Sequence, residues 1–404
     1  MQKLAGFDAV HLEAVKRIVP VLLNSSPLIA DYVAEALVII ASAEYPKDWP
    51  TLMQELVTHM DDQNHEKNFR LWMVIKNITK KYPLEERSDD LYREINITLD
   101  SIHGKLLYYA QGYLSQLNNI QDTQLLHQCL KIYKVLLKTF FNINSQDLPA
   151  LVEDNLQNWA TILKEVLAKK INMQNISSNE IDYLWFECKG EAIKSALMFA
   201  TKYQDDFMDA IKPFANEIWN ICQESTADEK FTKILVNSMK YFKSFCESPK
   251  FMDFFNENVK MMFTKVIIPN MTPGEDVLNY FESEHQAFVE SILANKEYGE
   301  RSETVCQFIK SLARFHNEQV EDTLKIVLSE YMQVMHQSPS LPNEIVCINL
   351  ICFSCVLGFR QDVGVVEINM HKELIESTYS QLIKPRLGPI FEAIAKGEVE
   401  LFVI

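Results

Sequence analysis

The chain is 404 residues long, contains 10 glycines and 14 prolines, and carries 55 acidic against 39 basic residues, a formal net charge of −16. This length exceeds what one compact core supports, and the few turn-forming residues argue against many short strands, so several domains or one repeat array is indicated. The acidic balance disfavours phosphate backbones and anionic membrane surfaces as partners and favours basic proteins, although solubility alone is the commoner reason for such a charge.

Neither a membrane span nor a secretory signal is predicted. No run of about 18 or more uncharged apolar residues occurs, and the first thirty residues lack an uninterrupted apolar segment followed by a cleavage site. We therefore expect no membrane insertion and a protein that stays inside the cell. The eight cysteines lie mostly among apolar residues without regular pairing, which indicates reduced core residues. Zinc at Cys347, Cys352 and Cys355 is disfavoured because that segment is apolar and no second ligand pair follows.

Apolar residues recur every three or four positions almost from end to end, as between Leu28 and Ile40, and strand-like alternation is nearly absent. Polar or proline-bearing breaks divide the chain into helices of ordinary length. We predict helix pairs at about 26–60, 64–117, 121–168, 178–224, 228–269, 297–337 and 342–395, preceded by a half-repeat at 8–24.

Paired helices at a spacing near forty residues are typical of HEAT and armadillo arrays, whereas the stricter pattern of tetratricopeptide repeats is missing. The predicted fold is all-α: a single HEAT-repeat α-α superhelix over residues 1–404, a curved solenoid of about seven to eight helix pairs. Each pair buries its apolar stripe only by stacking on its neighbours. The second helices would line a concave wall, so function is expected on a surface and not in a pocket.

Motifs for catalysis are missing from the sequence. There is no glycine-rich phosphate loop, nucleophile elbow or Walker lysine, and His65-Glu66 lacks the second histidine of a zinc protease helix because Phe69 holds that position. The five tryptophans are spread along the chain without a basic groove, a packing pattern and not a platform for single-stranded nucleic acid. We predict no enzyme activity, no cofactor, no metal site and no nucleic-acid partner.

The most informative short stretch runs from Tyr45 to Pro50 and contains two prolines around Trp49. Pro46 should stop one helix, and Pro50 can occupy the first turn of the next, where its missing N–H costs nothing. Tyr45 and Trp49 would then pack against the turn. Considered by itself, the stretch is also compatible with an ordinary corner between two helices.

An aromatic-Pro-X-X-Trp-Pro-X-Leu corner near the amino terminus resembles the hallmark of the importin-β superfamily of nuclear transport receptors. Two further stretches resemble one branch of it, the CAS or Cse-type exportins that return importin-α to the cytoplasm. They are Phe141 to Pro149, followed by Glu153-Asp154-Asn155, and Lys265 to Met271. The resemblance runs in order over almost the whole chain. Family members begin with one more repeat and continue for many more, so we expect an amino-terminal portion, a truncated gene product or a divergent short form.

This resemblance implies a receptor that binds Ran in its GTP form together with importin-α. Such a receptor contacts nuclear pore proteins as it crosses the pore and shuttles between nucleus and cytoplasm. In the family, the earliest repeats and an acidic insertion midway along the arch contact Ran. The matching insertion here is at about 272–296 and carries fewer basic residues than the family's. The candidate Ran-contact residues are Gln54, Glu55, Thr58, His59, Asp61 and Asp62 on the first surface, and Glu275, Asp276, Glu282, Glu284 and Glu290 on the second.

Three alternatives stay open at this point. The chain could be another importin-β superfamily receptor with different cargo, a passive HEAT scaffold without nucleotide dependence, or an all-helical enzyme with a clustered polar pocket. For any single carboxylate, an ordinary solvated position is the commoner explanation than a contact residue.

Overall fold

The structure, a computed structural model, describes residues 17–24, 26–171, 179–225, 229–246, 251–272 and 299–337, with Ser248, Asn279, Ser283 and Val346. Every regular element within these residues is helical, which confirms the predicted all-α class. The helices are α1 (Ile18–Asn24), α2 (Pro27–Glu44), α3 (Leu52–Thr58), α4 (His65–Thr79), α5 (Asp89–Gln116), α6 (Thr123–Asn144), α7 (Ala150–Glu153), α8 (Leu156–Ala168), α9 (Asn179–Lys202), α10 (Gln204–Glu224), α11 (Thr232–Phe245), α12 (Met252–Met262), α13 (Ile268–Met271), α14 (Gly299–Phe315) and α15 (Asn317–Gln337).

Helix boundaries fall where side chains satisfy or interrupt the backbone. Asn64, Ser88 and Asp122 each accept a hydrogen bond from an N–H in the first turn of the helix that follows, as N-cap residues do. The boundaries between the predicted pairs at 26–60, 64–117 and 121–168 fall in the intervals 59–64 and 117–122 between α-helices, and the second interval contains a 3-10 turn over Leu117–Asn119. Two other breaks, at Tyr203 and His316, are single residues without proline or glycine nearby, so the strongest turn signals are missing from the sequence there.

The chain divides into two compact units, residues 1–221 and 222–404, which we describe separately. In the first unit, helices α2, α4, α6 and α9 pack side by side in chain order and form its first-helix row. Helices α3, α5 and α8 pack likewise and form its second-helix row. Each second helix also packs against the first helix of the next pair, so every layer buries its apolar stripe on its neighbours, as HEAT repeats do.

The second unit repeats this pattern over a shorter stretch. Helix α11 packs on α14 and α12 packs on α15, while α14 and α15 pack on each other. The layers are held by large aromatic residues such as Tyr241, Phe242 and Phe255, all nearly inaccessible to solvent. Within the described residues, the predicted HEAT-type stacking is therefore present in both units.

Residues 45–50 turn the chain from α2 into α3. Tyr45 and Trp49 are only 4% and 2% exposed, so both pack into the corner as predicted. The Tyr45-Pro46 peptide bond is cis. Pro50, expected in the first turn of the next helix, lies two residues before it. The Leu52 N–H donates to the Trp49 carbonyl oxygen, so Pro50 lies inside a separate turn that precedes the helix.

A buried polar network joins this corner to the next layer. The Tyr45 and Tyr82 hydroxyls lie 2.7 and 2.9 Å from Oγ1 of Thr98 on α5. Tyr82 also donates to Glu94, 3.1 Å away, and the Lys81 ammonium lies 2.9 Å from the same carboxylate. Since buried polar groups are costly unless they are paired, this network fixes how the first layer sits on the second.

The stretch that follows α6 connects the turns of three successive layers. The Gln146 side-chain amide donates to the carbonyl oxygens of Tyr82 and Glu85, at 2.6 and 2.7 Å, in the turn of the preceding layer. The Lys202 ammonium, at the end of α9, donates to the Ser145 carbonyl oxygen. The family-like stretch from Phe141 to Pro149 is thus a corner that bridges layers.

Replacing Gln146 with alanine is expected to lower the free energy of unfolding by about 1–2 kcal/mol, because two carbonyl oxygens lose their donor in a partly buried turn. The measurement is urea unfolding followed by circular dichroism. Gln128→Ala, on the exposed side of α6, is the matched control and should change stability by less than about 0.5 kcal/mol. Equal effects of the two substitutions would contradict the bridging role.

In the second unit, the stretch from Lys265 to Met271 is also structural. Pro269 has no N–H to donate, and the helix just before it widens into a π-helical turn over Phe263–Ile267. Asn270 is buried, and its side-chain amide donates to the Val266 carbonyl oxygen at 2.5 Å. The Asn270 side-chain oxygen accepts from Arg301 of α14. This second family-like stretch therefore holds neighbouring layers in place.

The described cysteines agree with a core role. Cys129, Cys188, Cys222 and Cys246 are buried and Cys306 is half-buried, all as free thiols. Burial raises the pKa of Cys129 to about 11 and the pKa of Cys222 to about 12, so both stay protonated at neutral pH. Cys347, Cys352 and Cys355 lie outside the described residues. In the part of the chain that the structure covers, no helix is long and apolar enough to cross a bilayer.

Candidate partner-binding surface

The predicted first surface lies on α3 and the turn after it. Leu52, Met53, Leu56 and Val57 face the core, which leaves the opposite side of the helix toward solvent. Gln54 and Thr58 are exposed there and interact with each other one turn apart: the Thr58 hydroxyl donates to the Gln54 carbonyl oxygen at 2.7 Å. His59 is half-exposed.

Glu55 differs from its neighbours because its carboxylate is already engaged. Its Oε1 accepts from the Trp49 indole N–H at 3.2 Å and from the Thr51 hydroxyl at 2.6 Å. These bonds tie the start of α3 to the corner. Glu55 remains a predicted contact residue, but its contacts here are those of a residue that supports the helix.

The turn after α3 is held rigidly by one side chain. The Asn68 side-chain oxygen accepts from the Asp61 N–H at 2.9 Å, and its amide donates back to the Asp61 carbonyl oxygen at 2.7 Å. Asn68 is itself fully buried on α4. This pair of bonds fixes the Asp61 backbone while both Asp61 and Asp62 remain exposed.

Asp62 is held by two tyrosines of the next second helix. The Tyr108 hydroxyl donates to Oδ2 and the Tyr109 hydroxyl donates to Oδ1, each at 2.8 Å, from positions 46 and 47 residues along the chain. Both hydroxyls stabilise the anion, so the hydrogen bonds from Tyr108 and then Tyr109 lower the pKa of Asp62 below its usual range. The carboxylate is thereby fixed as an anion at the edge between α3 and α5.

Sequence reasoning missed the tyrosines and Lys105. The Lys105 ammonium lies 5.8 and 5.9 Å from the ring centroids of Tyr108 and Tyr109, near enough for a cation–π interaction. Tyr108 is 52% exposed, which is high for a tyrosine on a helix that packs on both sides. The available signal in the sequence was that Tyr108 falls outside the apolar face of its helix. Nothing in the sequence linked this tyrosine to Asp62.

We name Asp61, Asp62, Lys105, Tyr108 and Tyr109 the aspartate–tyrosine edge.

Replacing both Tyr108 and Tyr109 with phenylalanine should raise the pKa of Asp62 toward the ordinary aspartate value of about 3.9. In the unaltered protein the pKa of Asp62 is lower in the folded state than in the unfolded chain. The Asp62 anion therefore stabilises the fold at pH above the ordinary aspartate pKa. The contribution disappears as pH falls through the folded pKa. Titration of the side-chain carboxyl carbon by NMR measures this shift. Tyr92→Phe, an exposed tyrosine on the same helix, should leave the Asp62 pKa unchanged.

The second predicted surface lies outside the described residues. This applies to Glu275, Asp276, Glu282, Glu284 and Glu290 and to most of the acidic insertion at about 272–296. These five residues therefore stay predictions. Among the described residues, no group of three or more histidine, cysteine or acidic side chains is arranged to hold a metal ion.

Helix pairs that stack in two rows in the first unit, with a polar edge on the second-helix row, define the fold class as that of a HEAT-repeat protein. The family model described as Cse1 matches residues 78–393, well over half of the sequence. The chain belongs to the Cse1 family, which confirms the resemblance found in the sequence.

Relatives of known name agree with this assignment. Exportin-2 of Xenopus laevis is 23% identical over 337 residues, covering 83% of this chain and 35% of the relative. Exportin-2 of Homo sapiens is 23% identical over 342 residues, covering 84% of this chain and 35% of the relative. Exportin-2 of Pagrus major is 25% identical over 337 residues, covering 82% and 34%. The chain thus spans about a third of the length of the curated relatives it matches.

A solved structure, described as the exportin Cse1 in its cargo-free, cytoplasmic state, superposes with a TM-score of 0.76 at 21% identity. The match covers 87% of this chain and 38% of that one. At this level of identity the likeness establishes the helical-repeat fold, which agrees with the layers described above.

Proposed function

We propose that this chain is part of a nuclear export receptor that binds Ran in its GTP form together with importin-α and returns importin-α to the cytoplasm. Membership of the Cse1 family carries this proposal, because the curated relatives are named exportins. The receptor would shuttle between nucleus and cytoplasm and contact nuclear pore proteins on the way. It would act by binding alone, without catalysis or a cofactor.

The aspartate–tyrosine edge supports a place for Ran on the first layers. Asp61 and Asp62 are exposed carboxylates in a turn that Asn68 fixes, and Asp62 has both of its oxygens oriented by tyrosine hydroxyls. An anion whose position is fixed beforehand loses little conformational entropy when a basic side chain pairs with it. Such charges act mainly on the rate of association and on the choice of partner.

Nearby residues would extend the contact. Gln54 and Thr58 offer exposed polar groups one turn apart on α3, next to half-exposed His59. Glu55 would contribute indirectly, since its carboxylate keeps the start of the helix in place. The acidic insertion would supply a second contact through the five carboxylates predicted there.

The direct test is recovery of partners from a cell extract on immobilised chain, with and without Ran locked in its GTP form. Recovery of importin-α that requires GTP-locked Ran would support the proposal. Recovery of Ran without importin-α would restrict this portion to the Ran contact. Recovery of other cargo in place of importin-α would indicate a different transport receptor. Binding of importin-α that is the same with and without GTP-locked Ran would indicate a passive scaffold and contradict the proposal.

A further inference from the structure

The first-helix row of the first unit carries a cluster of lysines in an otherwise acidic chain. Lys76 lies in the last turn of α4 and Lys80 is the C-cap residue that follows it, while Lys134 and Lys138 lie one turn apart on α6, the helix packed beside α4. The two helices meet at this point because the Asn142 side chain, one turn after Lys138, contacts the Lys76 carbonyl oxygen at 3.4 Å. We name these four residues the lysine patch.

The acidic residues near the lysine patch neutralise only one side of it. On the α9 side, Lys134 lies 2.5 Å from Glu187 and Lys138 lies 3.7 Å from Glu191. On the α4 side, Lys76 and Lys80 form no ion pair with any residue in the described part of the chain. Burial, followed by repulsion from Lys138, Lys80 and Lys134, lowers the pKa of Lys76.

Neighbouring lysines repel one another, and an anionic group placed beside those without an ion pair in the described part of the chain relieves that repulsion. Residues one helical turn apart are separated by about 6 Å along the axis. Alternate side chains of an extended peptide are separated by about 6.6 Å along the strand. An extended peptide with acidic residues at alternate positions therefore matches the spacing of the lysines along either helix.

We infer that the lysine patch on α4 and α6 is a docking surface for an acidic peptide segment of a partner protein. Carboxylates of the peptide would pair chiefly with Lys76 and Lys80, the two members of the patch for which the described residues supply no ion pair. A nucleic acid fits less well, because its long run of phosphates would also face the chain's overall charge of −16. This surface lies on the first-helix row and does not depend on the Ran contact proposed for the second-helix row.

The test uses the full chain and a fluorescent peptide of ten glutamates, with binding followed by fluorescence anisotropy in about 0.05 M salt. Lys76→Gln/Lys80→Gln is expected to weaken binding about tenfold, since two charge pairs are lost at low screening. The variant should fold, because the substitution removes repulsion. Lys47→Gln/Lys164→Gln, two exposed lysines away from the patch, is the control with the same change of charge and should weaken binding less than about twofold.

Three outcomes would overturn the inference. The peptide could fail to bind the unaltered chain. Both double variants could weaken binding equally, which would make the effect one of total charge. A single-stranded oligonucleotide of the same charge could bind more tightly than the peptide and show the same dependence on Lys76 and Lys80, which would assign the patch to nucleic acid.

Discussion

Trp49→Ala should lower the free energy of unfolding by about 3–5 kcal/mol, the usual cost of removing a large, fully buried aromatic side chain. Trp49 is 2% exposed and fills the corner between α2 and α3. Its loss would leave a cavity and would deprive Glu55 of the indole donor. Because Glu55 holds the start of α3, the surface that follows this helix should loosen as well.

Two variants separate packing from the single hydrogen bond. Trp49→Phe keeps one buried aromatic ring and loses the N–H donor, so it should cost about 1 kcal/mol from that bond plus a packing loss smaller than that of Trp49→Ala. Tyr32→Ala removes a side chain that is 69% exposed on α2 and should change stability by less than about 0.5 kcal/mol. Urea unfolding followed by circular dichroism gives all three values. A Trp49→Ala effect no larger than that of Tyr32→Ala would show that the corner is not packed as described.

Reversing both charges with Asp61→Lys/Asp62→Lys should slow association with GTP-loaded Ran about five- to tenfold at low salt, because exposed carboxylates act mainly by steering a basic partner. Stopped-flow fluorescence with labelled nucleotide on Ran measures the rate. Raising the salt to about 1 M shortens the screening length to about 3 Å and should remove most of the difference. The prediction depends on the proposed function.

The matched control reverses the exposed pair Asp89 and Asp90 at the other end of α5. Tyr108 lies 19 residues further along this helix, about 29 Å at the usual rise, well beyond the screening length of about 10 Å in 0.1 M salt. In 0.1 M salt Asp89→Lys/Asp90→Lys should therefore change the association rate far less. An unchanged rate in the Asp61 and Asp62 variant at low salt would remove these two residues from the Ran surface.

Much of the helical architecture could be read from local features of the sequence. Apolar spacing fixed which stretches are helical, and prolines, asparagines and aspartates marked most of the ends, since caps and breakers act within one turn. The packing of Tyr45 and Trp49 was likewise predictable, because two prolines leave the connecting chain few conformations. The breaks at Tyr203 and His316 escaped prediction because neither proline nor glycine stands near them.

The sequence by itself determined the all-α class, the helix pairs within the described residues and the family, because each depends on short-range periodicity or on contiguous motifs. Only the tertiary structure decided that Asp62 is bound by Tyr108 and Tyr109, that Gln146 bridges to Tyr82, and that Lys76 faces Lys138. These partners are separated by 46 to 64 residues in the sequence. Their meeting depends on the register with which one helical layer packs on the next, which the spacing of apolar residues along a single helix does not specify.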